Sequence, residues 1–155
     1  MTTEIKVNTE INFDQLHKII ALAMTATVGI YKEKAKPSQI KALQNMVPAI
    51  SGSSNLFLAC AVVDGDVAGF QAGYLSPMVL EEGDAAYSFI TYVKPEAEGK
   101  GIGEQLFMTF VQWAEQRKAV DIRLELTNAT NNDALAVALE ARGFGRQGIV
   151  MLKRG

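Results

Sequence analysis

The sequence predicts a single α+β domain, and three patterns carry that prediction. Apolar residues recur at helical spacing in separate stretches near both ends, as in Leu16, Ile19, Ile20, Ala23 and Met24. The middle of the chain is rich in β-branched and aromatic residues and is punctuated by Asp64-Gly65, a strong two-residue hairpin signal. No repeat, linker or low-complexity tract divides the 155 residues, a length that suits one domain with a sizeable core.

In chain order, Ile5–Val7 is expected as a short first strand, and Asn12 or Asp14 as the cap of the first helix. Val28–Lys36 reads as a connection ending at Pro37. Ser38–Val47 reads as a second helix with Ile40, Leu43 and Val47 inward, bent or ended by Pro48. Leu56–Val63 and Val67–Leu75 flank the hairpin turn, and Pro77 closes the second of them. Beyond the acidic turn Glu81–Asp84, Ala85–Val93 is the third strand of a meander. Leu106, Phe107, Phe110, Val111 and Ala114 trace the buried stripe of a further helix. Ile122–Leu126 alternates as a half-buried strand, and Asn131–Ala141 is a helix that Gly143 can terminate in the left-handed conformation. Ile149–Lys153 completes the list as a last strand.

Composition narrows the function. Hydrophobic residues make up 48% and charged residues 21%, and the net charge of −2 provides no global field for nucleic acid. One cysteine, Cys60, excludes an internal disulfide, and one histidine, His17, excludes a histidine cluster, so no metal site is expected. The polar start, Met1–Asn12, has no signal-peptide character, and no apolar run approaches the ~20 residues of a membrane span. A cytoplasmic protein with no membrane partner is the expectation.

The most informative residues are Glu98-Gly99-Lys100-Gly101-Ile102-Gly103, between the strand ending at Val93 and the helix beginning near Glu104. A glycine-rich turn there leaves backbone N–H groups unpaired at the positive end of the helix dipole, a site for a phosphate. A P-loop would need Ser or Thr after its lysine, and here Gly101 follows Lys100. A dinucleotide fold would place the turn after the first strand of a parallel unit, whereas this turn follows an antiparallel meander.

The stretch Val93-Lys94-Pro95 through Gly103-Glu104-Gln105-Leu106 resembles the cofactor motif of the Gcn5-related N-acetyltransferase (GNAT) superfamily. That motif has Gln or Arg, two residues, Gly, one residue, then Gly or Ala, after a valine-x-proline. Only Glu98 departs from it. The order of elements matches over nearly the whole chain, down to the Gly143-Phe144 pair. The resemblance implies a mixed, mostly antiparallel sheet flanked by about four helices, with a splayed strand pair between Ala85–Val93 and Asp121–Thr127. It implies acetyl-coenzyme A as cofactor. Its pyrophosphate would rest on the amides of Gly99, Lys100, Gly101, Ile102, Gly103 and Glu104, and its pantetheine arm along Thr91, Tyr92 and Val93. Asn132 matches an asparagine that the family directs at the arm, and equally serves as a helix N-cap. A glutamate at position 98 repels the phosphates, by roughly 0.7 kcal/mol per charge at ~6 Å in bulk water and ~3 kcal/mol at a dielectric of 20.

The resemblance further implies acetyl transfer to a primary amine, on a small molecule or a protein, by direct attack. The position that in many members carries a glutamate base is Tyr87 here. A phenol of pKa ≈ 10 is a weak base at pH 7, so Tyr87, with Ser88 as helper, is assigned to orienting water or substrate. The usual tyrosine acid is replaced by Leu139, or by Ala138 if Asn131 rather than Asn132 sets the register. These departures open a second reading, a GNAT-fold binding or regulatory module with weak or no catalysis. Longer acyl groups are a third. Few residues follow Phe144, which implies an open acceptor site or one completed by the second subunit of a homodimer. Cys60 reads as a buried inert thiol, His17 as surface, Lys32, Glu33, Lys34 and Lys36 as a solvated loop or as a group facing an acidic acceptor, and Gly69 and Gly73 as close packing, a bulge or a ligand approach.

Overall fold

The computed structural model describes residues 2–53, 55–126 and 132–155, with Asn132 described by its backbone alone. Five strands, β1 (Thr3–Val7), β2 (Leu56–Val63), β3 (Asp66–Pro77), β4 (Asp84–Val93) and β5 (Asp121–Leu124), form one sheet in sequence order. The first four pair antiparallel and β4 pairs with β5 in parallel, so the sheet is mixed and mostly antiparallel. Four helices accompany it among the described residues: α1 (Phe13–Tyr31), α2 (Gln39–Ile50), α3 (Ile102–Gln116) and α4 (Asn132–Glu140).

Alternation along β2 explains the layering. Leu58 and Cys60 face α1 and α2, where Leu16, Ile19, Ile20, Ala23 and Ala49 complete one core. Phe57, Ala59 and Ala61 face α3, whose Leu106, Phe110, Trp113 and Ala114 fill the other. Small residues on the strand beneath large ones on the helix let the two surfaces interdigitate. Phe57 meets Phe110 edge-on at 5.2 Å between ring centroids. Burial on both faces is why Leu56–Val63 is an unbroken apolar run rather than an alternating one.

The turn chemistry follows the residues. Asp64 and Gly65 both take positive φ, 50° and 85°, as a type I′ hairpin turn requires. Asn12, rather than Asp14, caps α1, in a reciprocal box with Gln15 (2.8 and 3.0 Å). The stripe Leu106, Phe107, Phe110, Val111 and Ala114 is buried throughout.

Five expectations are corrected. Helix α1 continues to Tyr31 and a 3-10 turn, Lys32–Lys34, follows, so the connection is shorter than Val28–Lys36. Ile40 and Leu43 are exposed, at 71% and 39%. The inward stripe of α2 is Ala42, Met46, Ala49 and Ile50, an equally good helical period whose alanines allow close approach to α1. Pro48 lies within the last turn of α2, which runs on to Ile50. Strand β5 ends at Leu124, and Ile149–Lys153 forms no strand: Ile149, Val150, Met151 and Leu152 are exposed, with no ladder to join. The tail is held instead by Arg154, whose guanidinium lies 3.7 Å from the Tyr31 ring centroid and whose carbonyl accepts from Lys34 Nζ at 3.1 Å.

Candidate active site at the open edge of strand four

The site begins with a sheet irregularity. Ala72 pairs with Ile90 and Gly73 with Ser88, so Phe89 is an extra residue bulged out of β4. On the other edge of β4, the parallel ladder to β5 runs only from Ala85–Asp121 to Ser88–Leu124. From Phe89 to Val93 that edge has no strand partner among the described residues, which is the splay expected at the cofactor cleft. Gly73 makes the bulge and the core compatible. A Cβ there would sit 2.5 Å from the Tyr87 carbonyl oxygen and 2.6 Å from Phe110 Cε2. Close packing is therefore the reason for this glycine.

Beyond β4 the chain turns through Pro95–Ala97 into the glycine turn and α3. Gly99 and Gly101 take φ of 77° and 76°, which few residues other than glycine adopt. Gly101 caps α3 without a side-chain hydrogen bond, and the first helical bond runs from the Gln105 amide to the Gly101 carbonyl at 3.0 Å. The amides of Gly101, Ile102, Gly103 and Glu104 thus have no protein acceptor among the described residues. A Cβ at Gly99 or Gly101 would meet nothing within 4 Å, so the space over these amides is open. Ile102 is buried and pins the start of α3 to the sheet.

These parts enclose a cleft of about 270 Å³. Thr91, Tyr92 and Val93 line one side, and Glu98, Gly99, Gly101, Ile102 and Gly103 another. Lys100 and Glu104, also expected there, do not line it. Glu104 is engaged by Arg142 at 2.8 Å, which neutralises one carboxylate near the turn. Glu98 and Lys100 are exposed and make no ion pair among the described residues. The expectation for the Asn132 side chain lies outside the described residues. Phe107 and Leu135 close the cleft without having been anticipated. For Phe107 the clue was its place one turn into the α3 stripe; Leu135 carried no signal beyond its helix.

A buried polar group adjoins the cleft. Gln71 donates through Nε2 to Ser88 Oγ at 2.7 Å, both side chains being fully buried. Gln71 Oε1 and Thr91 Oγ1 have no partner among the described residues. Buried groups of this kind are costly unless a ligand or water satisfies them, and Thr91 lines the cleft. Ser88 is therefore a buried acceptor. Tyr87 lies on the opposite face, stacked on Tyr74 at 5.3 Å, with the Arg123 guanidinium 5.3 Å from its centroid. Neither Tyr87 nor Ser88 lines the cleft. Leu139 is buried, and its carbonyl accepts from the Phe144 amide at 3.2 Å. Cys60 is buried on the α1 face, where desolvation pushes its thiol up to about 11.

A second, larger cavity of about 480 Å³ lies on the α1–α2 face. Phe89 and Ile90 form part of its wall, and the next residues along β4, Thr91 and Tyr92, belong to the cleft. One strand therefore contributes consecutive residues to the walls of both cavities. No helix is long and apolar enough to cross a membrane among the described residues, and these residues hold no cluster suited to a metal ion.

Comparison with known proteins agrees with this geometry. The model of the acetyltransferase (GNAT) family matches residues 16–144. No curated protein sequence matches the chain. Among solved structures, ribosomal-protein-alanine N-acetyltransferase from Brucella melitensis biovar Abortus 2308 is 19% identical, with TM-score 0.71 and all of both chains covered. Glucosamine-6-phosphate N-acetyltransferase from Arabidopsis thaliana is 16% identical, with TM-score 0.75 over 99% of this chain and 98% of that one. An aminoglycoside N-acetyltransferase in complex with coenzyme A is 15% identical, with TM-score 0.73 over 99% of this chain and 95% of its own. At these identities the likeness is one of fold.

Proposed function

The chain belongs to the acetyltransferase (GNAT) family, and we propose that it transfers an acetyl group from acetyl-coenzyme A to a primary amine by direct attack. The observation that carries this reading is the pairing of amides at Gly101–Glu104 and an edge of β4 that are both unpartnered among the described residues. The first offers a pyrophosphate several hydrogen-bond donors at a helix N-terminus. The second offers the amide groups of a pantetheine arm a strand to pair with. Thr91 Oγ1, buried and unpartnered beside that edge, supplies a further polar contact.

The chemistry asked of the protein is modest. The amine nitrogen bonds to the thioester carbonyl carbon, the C–S bond breaks with its electron pair leaving on sulfur, and the amine's proton passes to water or to the departing thiolate. A backbone amide near Val93 polarises the carbonyl as an oxyanion donor would. The leaving thiol has a pKa near 8.5 and departs largely as thiolate, so the absence of a tyrosine at Leu139 slows the step without forbidding it. Tyr87, held between Tyr74 and Arg123, orients the acceptor side rather than removing the proton. Glu98 weakens phosphate binding, and the oriented amides outweigh it.

The apolar setting of Leu139 and the carboxylate at Glu98 also favour a second reading, a GNAT-fold binding or regulatory module with weak or no catalysis. Calorimetry with coenzyme A and acetyl-coenzyme A, together with thiol release over an amine panel, separates the two. Micromolar binding with acceptor-dependent thiol release is the expected result. Binding without release, or no binding at millimolar ligand, overturns the enzyme reading and supports the module.

A further inference from the structure

The cavity on the α1–α2 face has a chemistry of its own. Its walls are mostly apolar, with Met24, Met46, Leu58, Ile90 and the aromatic Tyr74 among them beside the neutral polar Thr27, Ser38, Gln44 and Asn45. Two charged side chains line it, Lys36 and Lys41, and among the described lining residues there is no carboxylate. Both lysines are exposed, and neither forms an ion pair among the described residues. A volume of about 480 Å³ suits a molecule of amino-acid to drug size.

We propose that this cavity is the acceptor site and that its substrate class is the small primary amine carried on an apolar body that also bears a carboxylate, as a hydrophobic amino acid does. The inference rests on the acetyl-transfer reading of the neighbouring cleft. The apolar body fills the space between α1, α2 and the sheet, and the carboxylate meets Lys36 and Lys41 at the rim. The amine lies toward Phe89 and Ile90, where β4 passes from this cavity to the cleft. Polycationic amines are excluded by charge. Each of their ammonium groups would enter a low-dielectric space facing two lysines and no carboxylate, which is costly without a counter-ion. The same environment favours reaction. Desolvation by the apolar walls disfavours the ammonium form, so the attacking amine reaches its neutral state without the base that Tyr87 does not supply.

The test compares matched pairs in the full-length protein: phenylalanine with phenethylamine, and leucine with isoamylamine. Kanamycin, spermidine and a peptide beginning with phenylalanine complete the panel. Thiol release from acetyl-coenzyme A gives kcat/KM, and ligand-detected NMR without cofactor gives binding of each amine. Each amino acid is expected to exceed its decarboxylated partner by about tenfold in both readouts, with no turnover of kanamycin or spermidine. Lys36→Gln with Lys41→Gln brings that ratio close to one, and Lys36→Arg with Lys41→Arg restores it. Equal or better use of the decarboxylated amine, of the polycations or of the peptide overturns the proposal, as does a ratio that the lysine variants leave unmoved. If calorimetry shows no acetyl-coenzyme A binding, the reading of the cleft fails by itself, and the NMR ratio still decides the chemistry of the cavity.

Discussion

Glu98 places a negative charge at the mouth of the cleft proposed to hold a pyrophosphate, and its side chain is exposed and without an ion pair among the described residues. Glu98→Arg replaces repulsion by attraction, a change of roughly 1.4 kcal/mol at ~6 Å in a water-like dielectric. Coenzyme A affinity is expected to rise by roughly three- to tenfold, and more at low salt, which titration calorimetry at two ionic strengths checks. Gly73 answers to packing alone. With Tyr87 O and Phe110 Cε2 at 2.5 and 2.6 Å from any Cβ, Gly73→Ala is expected to lose about 1–3 kcal/mol in urea unfolding. Cys60 is expected to resist thiol reagents at pH 7–8 in the native protein and to react fully in denaturant. Burial raises its pKa from 9.0 to about 11, so the unfolded chain ionises first as pH rises. Its contribution to stability is therefore intact below pH 9 and lost between 9 and 11, as unfolding midpoints measured across that range will show.

At the scale of elements, the start of α3 separates binding from folding. A Cβ at Gly103 would meet only Val93 Cγ2, at 3.9 Å, and φ there is not positive, so Gly103→Asp fits the fold while placing bulk and charge over the free amides. Loss of coenzyme A binding with an unchanged circular-dichroism spectrum and unfolding midpoint is the expected outcome. Gly101→Asp removes binding too, but at an added cost in stability, because φ is 76°. The elements that were legible in the sequence are those specified locally. Asp64-Gly65 announces its own turn geometry, Asn12 and Gln15 their box, and the α3 stripe its buried face. The glycine turn belongs with them, since its φ values and uncapped amides follow from residue type and position. Legibility ended where a neighbour decides. Helix α2 carries two apolar stripes, and only the approach of α1 selects Ala42, Met46 and Ala49 over Ile40 and Leu43. Ile149–Lys153 has strand composition but no ladder. The second cavity draws on α1, α2 and three strands, and no local pattern in the chain encodes it.

For the molecule as a whole, the sheet is sealed on both faces by separate cores and left unfinished at one edge. A ligand that binds only the native state adds about 2.7 kcal/mol at one hundred times its Kd. For a chain of this size that predicts a rise in Tm of roughly 5–10 °C with saturating coenzyme A, readable by scanning calorimetry. The bulge at Phe89 has a consequence for hydrogen–deuterium exchange. Past it, the outward backbone groups of β4 have no parallel neighbour among the described residues, so amides between Phe89 and Val93 that point away from β3 are expected to exchange readily in the empty protein. Occupancy of the groove by an amide-bearing tether protects them, as a sixth ribbon would. The catalyst is then, in part, a host that finishes assembling its own architecture around the reagent it consumes.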